Sequence, residues 1–288
     1  MSDKSDNNFL NKTLPTPGGP WLWRQKPGDR TPPHLVLSWG DYGVTAAFSS
    51  RLGGCSTGPY SGLNLGLHVG DSAADVLENR SRFLAALSCT PRQCVAGEQV
   101  HGVKIATVEE NQGGAGMLDL ASVLPGYDAL ATQSRVGLMA FFADCVPLFF
   151  FDPKTRWAAL AHAGWRGSAA GMARAMVAFL WARGCHASDL LAAIGPCVGS
   201  CCYEIDEATA AAFKKQIPGF GQYAFRRDNG KYALDLSEVN RLELLRAGLP
   251  DSRIFCASLC TCCHSDWFFS YRRQNQTGRM AAFMRIET

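Results

Sequence analysis

Charge is scarce in this chain, and so is histidine. Only 18% of the 288 residues are Asp, Glu, Lys or Arg, the formal net charge is +3, and 6 residues are histidine. A balance so close to neutral, with no run of five or more basic residues, argues against a nucleic-acid partner. The N-terminal stretch MSDKSDNNFLNKT is polar and lacks the apolar core of a signal peptide, so nothing points to secretion. The longest apolar stretch, residues 136–151, is broken by Asp144 and Pro147 and falls short of the ~20 residues that a membrane span needs. Twelve cysteines would mark a disulfide framework in a small secreted domain. In a chain of this length without an export signal they are expected to be reduced thiols of a cytoplasmic protein, some of them ligands.

What is abundant is apolar surface. At 47% hydrophobic residues the chain can bury a large core, so a polar tail over residues 1–20 is expected to precede one domain over residues 21–288. Strand-like runs fall at 44–48, 136–142, 148–151, 157–161, 190–194 and 280–286. Helical periodicity with start and stop signals falls at 75–87, 168–183, 206–216 and 237–247. Strands and helices interleaved in this order predict an α/β (α+β) fold with mixed sheets.

Three segments carry soft or borderline metal ligands where an apolar run meets a Gly- or Pro-marked turn. They are GEQVHG with His101, FFADCVPLFF with Cys145, and ALAHAGWRG with His162. Two imidazoles and a thiolate suit zinc or copper, and three protein ligands leave a position open, as catalytic rather than structural sites do. Asp144 interrupts a hydrophobic run where a carboxylate is costly unless it has a task, so it is a candidate for orienting a ligand or moving a proton. Arg166 lies in the glycine turn before the helix expected at Ser168, where backbone N–H groups and a guanidinium could hold an anion. Of the remaining histidines, His34, His186 and His264 read as surface or structural, with His68 set aside as an exception. The cysteines near 197–202 and 260–263 read as C-x-C and C-x₃-C pairs rather than the C-x₂-C pairs of a zinc ribbon, and so as packing thiols.

The motifs GEQVHG, ADCVPLFFFD, AHAGWRG, GPCVGSCCYE and FFSYRR followed by TGRMAAF, in this order, resemble the YfiH family. Its members have been called laccase-domain proteins or multicopper polyphenol oxidases, and also purine nucleoside phosphorylases. The resemblance runs from about residue 44 to the C-terminus. It implies a layered α/β/β/α sandwich related to cysteine hydrolases, and a metal, usually zinc, on His101, Cys145 and His162. The implied activity is phosphorolysis of adenosine, inosine and methylthioadenosine, with some adenosine deamination. The implied partners are purine nucleosides and inorganic phosphate, acting on a monomer or small homo-oligomer. The family's STRxGG opening is here SSRLGG, so Arg51 matches and joins Arg166 as a candidate anion holder.

Two other readings use the same residues. A multicopper oxidase requires on the order of ten histidine ligands across its copper centres, and six histidines cannot supply them, although a single copper is compatible with a His₂Cys site. A cysteine hydrolase would take Cys145 as nucleophile and His162 or His101 as base. Editing of peptidoglycan precursors belongs with that alternative.

Overall fold

The computed structural model describes residues 18–24 and 31–287. The tail expected over residues 1–20 therefore lies outside the described residues as far as residue 17. Gly18 is already tied down, its N–H donating to the Ala257 carbonyl at 2.7 Å.

Two six-stranded mixed sheets and one small sheet make up the β structure. The first sheet runs β1-β2-β3-β15-β7-β4. Its strands are β1 (Trp21–Arg24), β2 (His34–Leu37), β3 (Val44–Ser49), β4 (Cys94–Ala96), β7 (Gly137–Phe142) and β15 (Met280–Ile286). All pairs in it are antiparallel except β4 with β7. The second sheet contains β5 (Ile105–Thr107), β6 (Ala129–Thr132), β8 (Val146–Phe151), β9 (Ala158–Ala163), β10 (Leu191–Ile194) and β14 (Ile254–Cys256). Its order is β14-β10-β8-β9-β6-β5, with parallel pairs at β10–β14 and β5–β6. A third sheet, not anticipated from the sequence, joins β11 (Glu204–Ile205), β13 (Tyr232–Leu234) and β12 (Ala224–Arg226).

The central strands read as unbroken apolar runs because both of their faces are covered, which removes the polar half of the usual alternation. In β7, Leu138, Ala140 and Phe142 point into a core shared with the second sheet. Met139 and Phe141 point to the other side, against Phe83 and Leu84 of α1 (Ala73–Ala86). In β9, Ala158 and Leu160 face that shared core. Ala159, Ala161 and Ala163 face Met172, Met176 and Leu180 of α3 (Met172–Trp181). Alanine on that face lets the helix approach closely.

Helix starts follow local capping chemistry. Side chains of Ser72, Asp206 and Asp235 accept the N–H groups of Asp75, Thr209 and Glu238, at the starts of α1, α4 (Glu207–Gln216) and α5 (Leu236–Arg246). The single helix expected over residues 168–183 is two. α2 (Trp165–Ala169) begins three residues earlier than expected and α3 follows after Gly171, which at φ 83° takes a left-handed conformation open mainly to glycine. Two strands are also longer than expected. β8 includes Pro147, opposite His162 of β9, and β9 runs through His162, so neither residue sits in a turn.

Arg80 is the most demanding buried group in α1. It is 1% exposed, donates to the carbonyls of Leu65, Gly116 and Met117 at 2.7–2.9 Å and lies 4.4 Å over the Phe141 ring. Each carbonyl left without a partner in the interior costs ~1–3 kcal/mol. Arg80→Met is therefore expected to lower unfolding free energy by about 3 kcal/mol or more, read from the denaturant midpoint. A loss under about 1 kcal/mol would show that water replaces the guanidinium.

Candidate active site and metal centre

The chain crosses from the first sheet to the second between β7 and β8, and residues 143–145 make that crossing. It is held in a tight geometry, with Asp144 at φ 89°. The crossing brings Cys145 to one end of the inter-sheet core. His162 reaches the same end from β9, on the face it shares with Ala158 and Leu160 by the period of two. His101 arrives from the loop after β4. That loop is pinned by Gln99, whose side-chain amide both donates to the Phe141 carbonyl and accepts from the Phe141 N–H at 2.8 Å. Gln99 and His101 both have positive φ, at 60° and 63°, a costly conformation for non-glycine residues that the surrounding bonds must hold.

The expected trio therefore meets. Ligand atoms of His101, Cys145 and His162 all lie within 4.8 Å of one another. The two imidazole rings sit edge to face at 4.8 Å between centroids, and Cys145 Sγ is 3.9 Å from His101 Nε2. Gly164 permits this convergence, since a Cβ there would lie 2.7 Å from His101 Cδ2 and 3.1 Å from Cys145 Sγ. His162 is buried, Cys145 half-buried and His101 exposed, so the cluster opens to solvent on one side.

The carboxylate that organises the cluster is Asp128, which sequence reasoning missed. It sits directly ahead of β6, one step beyond the Ala129–Ala161 pair, and so opposite His162. His162 Nδ1 donates to Asp128 Oδ1 at 2.9 Å, leaving Nε2 free for the cluster. The backbone N–H groups of His101 and Gly102 donate to the same carboxylate at 2.8 and 2.7 Å. A partner of this kind on the far ring nitrogen is the usual support of a metal-ligating histidine. The one local signal was a carboxylate abutting an apolar strand in GYDALAT.

Electrostatics follow the geometry. Burial pushes the Cys145 thiol up, but the nearby His162 charge and bonds to both imidazoles outweigh it and hold it at about 6. Burial lowers His162, while Cys145 and Asp128 together raise it to about 9. Asp128 stays below the ordinary carboxylate value because bonds from His162, Gly102 and His101 overcome its burial. Each group thus favours the charged form of the other, a thiolate on Cys145 and an imidazolium on His162. The donor set is one that a borderline cation accepts: thiolate, two imidazoles and an open side.

The other expected residues divide. Asp144 lines the cavity beside the trio, together with His101 and Cys145. Its carboxylate accepts from the Thr261 hydroxyl at 2.6 Å, the Ser270 hydroxyl at 3.0 Å and the Arg272 N–H at 2.6 Å, which makes it an organiser of loops. Arg51 is not among the residues that line that cavity. It donates to the carbonyls of Ser265 and Ser61 and covers the Phe269 ring at 4.6 Å. Arg166 does line that cavity, but from inside α2, stacked over Trp165 at 4.3 Å. The cavity of about 480 Å³ is walled by His101, Cys145, Trp165, Tyr203, Tyr271 and Arg272 among others, within the ~300–1,000 Å³ usual for small-molecule sites. Trp165 at the start of α2, Tyr203 ahead of β11, and Tyr271, Arg272 and Asn275 of the loop before β15 were not singled out from the sequence, because only the folded chain brings these three segments to one cavity.

The described residues match the family model "Multi-copper polyphenol oxidoreductase laccase" over residues 45–287. The chain is 44% identical over 247 residues to purine nucleoside phosphorylase YlmD of Geobacillus stearothermophilus, covering 84% of this chain and 90% of that one. It is 35% identical to purine nucleoside phosphorylase YfiH of Escherichia coli, covering 84% and 93% respectively. The crystal structure of YlmD from Geobacillus stearothermophilus superposes with a TM-score of 0.87 at 40% identity, covering 93% of this chain and 100% of that one. The Bacillus licheniformis hypothetical protein YfiH gives a TM-score of 0.86 at 34% identity, covering 93% and 99%.

If Asp128 sets the orientation of His162, its removal should be felt by a metal at the trio. Asp128→Ala is expected to weaken Zn²⁺ binding there about 10- to 100-fold, measured by chelator competition. Asp144→Asn is expected to leave that affinity near wild type. Equal losses in both variants would mean that the effect is general loosening of the fold.

Proposed function

We infer the reaction from one premise: this chain belongs to the YfiH/YlmD family of purine nucleoside phosphorylases, whose family model is the laccase domain. Its fold class, in our reading, is the α/β/β/α layering related to cysteine hydrolases, with the shared core between the two large sheets. The observation that carries the function is the open cysteine–histidine trio, two of whose members, His101 and Cys145, line a cavity that also holds two arginines. We assign to it phosphorolysis of adenosine, inosine and methylthioadenosine, with adenosine deamination as a side activity, in a cytoplasmic monomer or small homo-oligomer.

In this reaction an oxygen of inorganic phosphate forms a bond to the anomeric carbon. The carbon–nitrogen bond to the purine breaks, its electron pair leaves with the base, and a ring nitrogen takes up a proton. The chain's part is to place the two reactants. Arg166 and Arg272 hold the phosphate, because guanidinium forks match its oxygens two at a time. Both guanidiniums already lie against aromatic faces, Arg272 over Tyr203 at 4.7 Å, which limits their freedom before substrate arrives. Trp165 and Tyr271 offer apolar faces to the purine, and Asn275 offers a donor and an acceptor to its edge. Asp144 positions the Arg272 backbone from below. His101, Cys145 and His162 would hold zinc, with copper as the alternative, and the ion would supply Lewis acidity toward a substrate oxygen or a water.

A cysteine hydrolase keeps one observation in its favour, the acidic Cys145 thiol beside two imidazoles. Its products differ, since adenine would be released without phosphate. The multicopper reading finds less support. The only group of possible ligands containing histidine among the described residues has two of them.

Adenosine with phosphate is expected to yield adenine and ribose 1-phosphate, and leaving phosphate out should abolish adenine release. Adenine formed equally without phosphate would establish a hydrolase instead. Arg166→Ala should raise the phosphate concentration for half-saturation roughly ten- to a hundredfold, the usual weight of one charge-assisted contact. Arg166→Lys should restore only part of it. An unchanged phosphate dependence together with a lower melting temperature would assign Arg166 to holding α2 in place.

A further inference from the structure

Four cysteines outside the trio converge from two loops far apart in sequence. Cys201 and Cys202 lie in the loop between β10 and β11, and Cys260 and Cys263 in the loop after β14. Their sulfurs all lie within 4.8 Å of one another. Cys263 Sγ is 3.4 Å from both Cys201 Sγ and Cys202 Sγ. Zinc–sulfur bonds of ~2.3 Å place tetrahedral sulfurs about 3.8 Å apart, so the cluster is already close to that spacing. The sequence reading, which saw only C-x-C and C-x₃-C pairs here, needs correction. Cys260 and Cys263 form a C-x₂-C pair, the spacing of zinc knuckles.

The backbone around the pair is arranged for thiolate. The N–H groups of Gly199 and Cys263 both point at Cys260 Sγ, at 3.3 and 3.5 Å. Two amide donors on one sulfur stabilise its anion. Gly199 is constrained to that role, since a Cβ there would come within 3.2 Å of Cys201 Sγ and 3.3 Å of the Cys260 side chain. The two loops are also paired beside the cluster, by a parallel bridge between Cys197 and Cys260.

We propose that Cys201, Cys202, Cys260 and Cys263 form a closed four-thiolate site for a structural Zn²⁺, separate from the His101–Cys145–His162 trio. Four protein sulfurs leave no open position, which distinguishes it chemically from the trio. Four thiolates gathered this closely repel one another unless a cation shares their charge, and zinc supplies that charge.

The site clips together the loops that wall the active cavity. One loop carries Val198 and Tyr203, and the other carries Tyr271, Arg272 and Asn275. Thr261, inside the C-x₂-C pair, donates to Asp144. Arg273 donates to the Thr261 and Cys262 carbonyls and to that of Phe268, which carries the constraint onward to Arg272.

Native mass spectrometry of the full chain purified from zinc-replete medium, under reducing conditions, tests this directly. Wild type is expected to carry two zinc ions per chain. C201S/C263S should lose one of them, and H101A/C145A should lose the other. Independent losses separate this proposal from the trio, since failure of either assignment would leave its own variant unchanged. Should C201S/C263S not fold, thiol counting on native wild type replaces it. The four cysteines should resist a thiol reagent until a strong chelator is added. Full zinc retained by C201S/C263S, free reactivity of these thiols in zinc-loaded wild type, or a zinc-free cluster with a mass lowered by disulfide formation would each overturn the proposal.

Discussion

One buried carboxylate joins the parts of the active centre. Asp128 is 2% exposed and accepts three hydrogen bonds, from His162 Nδ1 and from the N–H groups of His101 and Gly102. A carboxylate in the interior is tolerated only when its lone pairs are filled in this way. Because the donors come from β9 and from the loop after β4, the arrangement that satisfies Asp128 also fixes two of the three ligands. It settles which nitrogen of His162 faces the cluster, and it holds His101 in a left-handed conformation that the backbone would not keep alone.

The third ligand depends on the crossing between the sheets. Asp144 makes that crossing at positive φ, and its main-chain carbonyl accepts the Val198 N–H at 3.0 Å. Its side chain gathers Thr261, Ser270 and Arg272. Two acidic residues thus divide the work: Asp128 orients ligands, and Asp144 assembles the loops that face them. The cysteine cluster sits where those same loops meet, so metal binding there would bear on the cavity wall without touching substrate.

The parts of the site legible in sequence were those whose local context was unusual. His101, Cys145 and His162 each broke an apolar run, and they do converge. Asp144 was singled out by the cost of a carboxylate in a hydrophobic stretch. That cost is real, but it is met by hydroxyl and amide donors over a hundred residues away, which no spacing reveals. Arg51 matched a motif, yet its guanidinium is occupied by the carbonyls of Ser61 and Ser265. The early start of α2 moved Arg166 from a glycine turn onto a helix, because the helix begins at Trp165, with Gly164 as its N-cap, rather than at Ser168.

Sequence by itself determined the elements whose hydrophobic run or capping residue acts locally: β3, β7, β8, β9, β10 and β15, the helices α1, α4 and α5, and the three ligand-bearing segments. Their signals lie within a few residues, so no distant contact was needed to read them. Tertiary structure decided what depends on pairing across the chain. The register that sets Asp128 opposite His162, the meeting of Cys201 and Cys202 with Cys260 and Cys263, and the wall built from Trp165, Tyr203 and Arg272 all arise only when sheets and loops close on one another. The physical reason is that hydrogen-bond satisfaction and close packing act between groups near in space, and this fold brings together residues that the sequence keeps far apart.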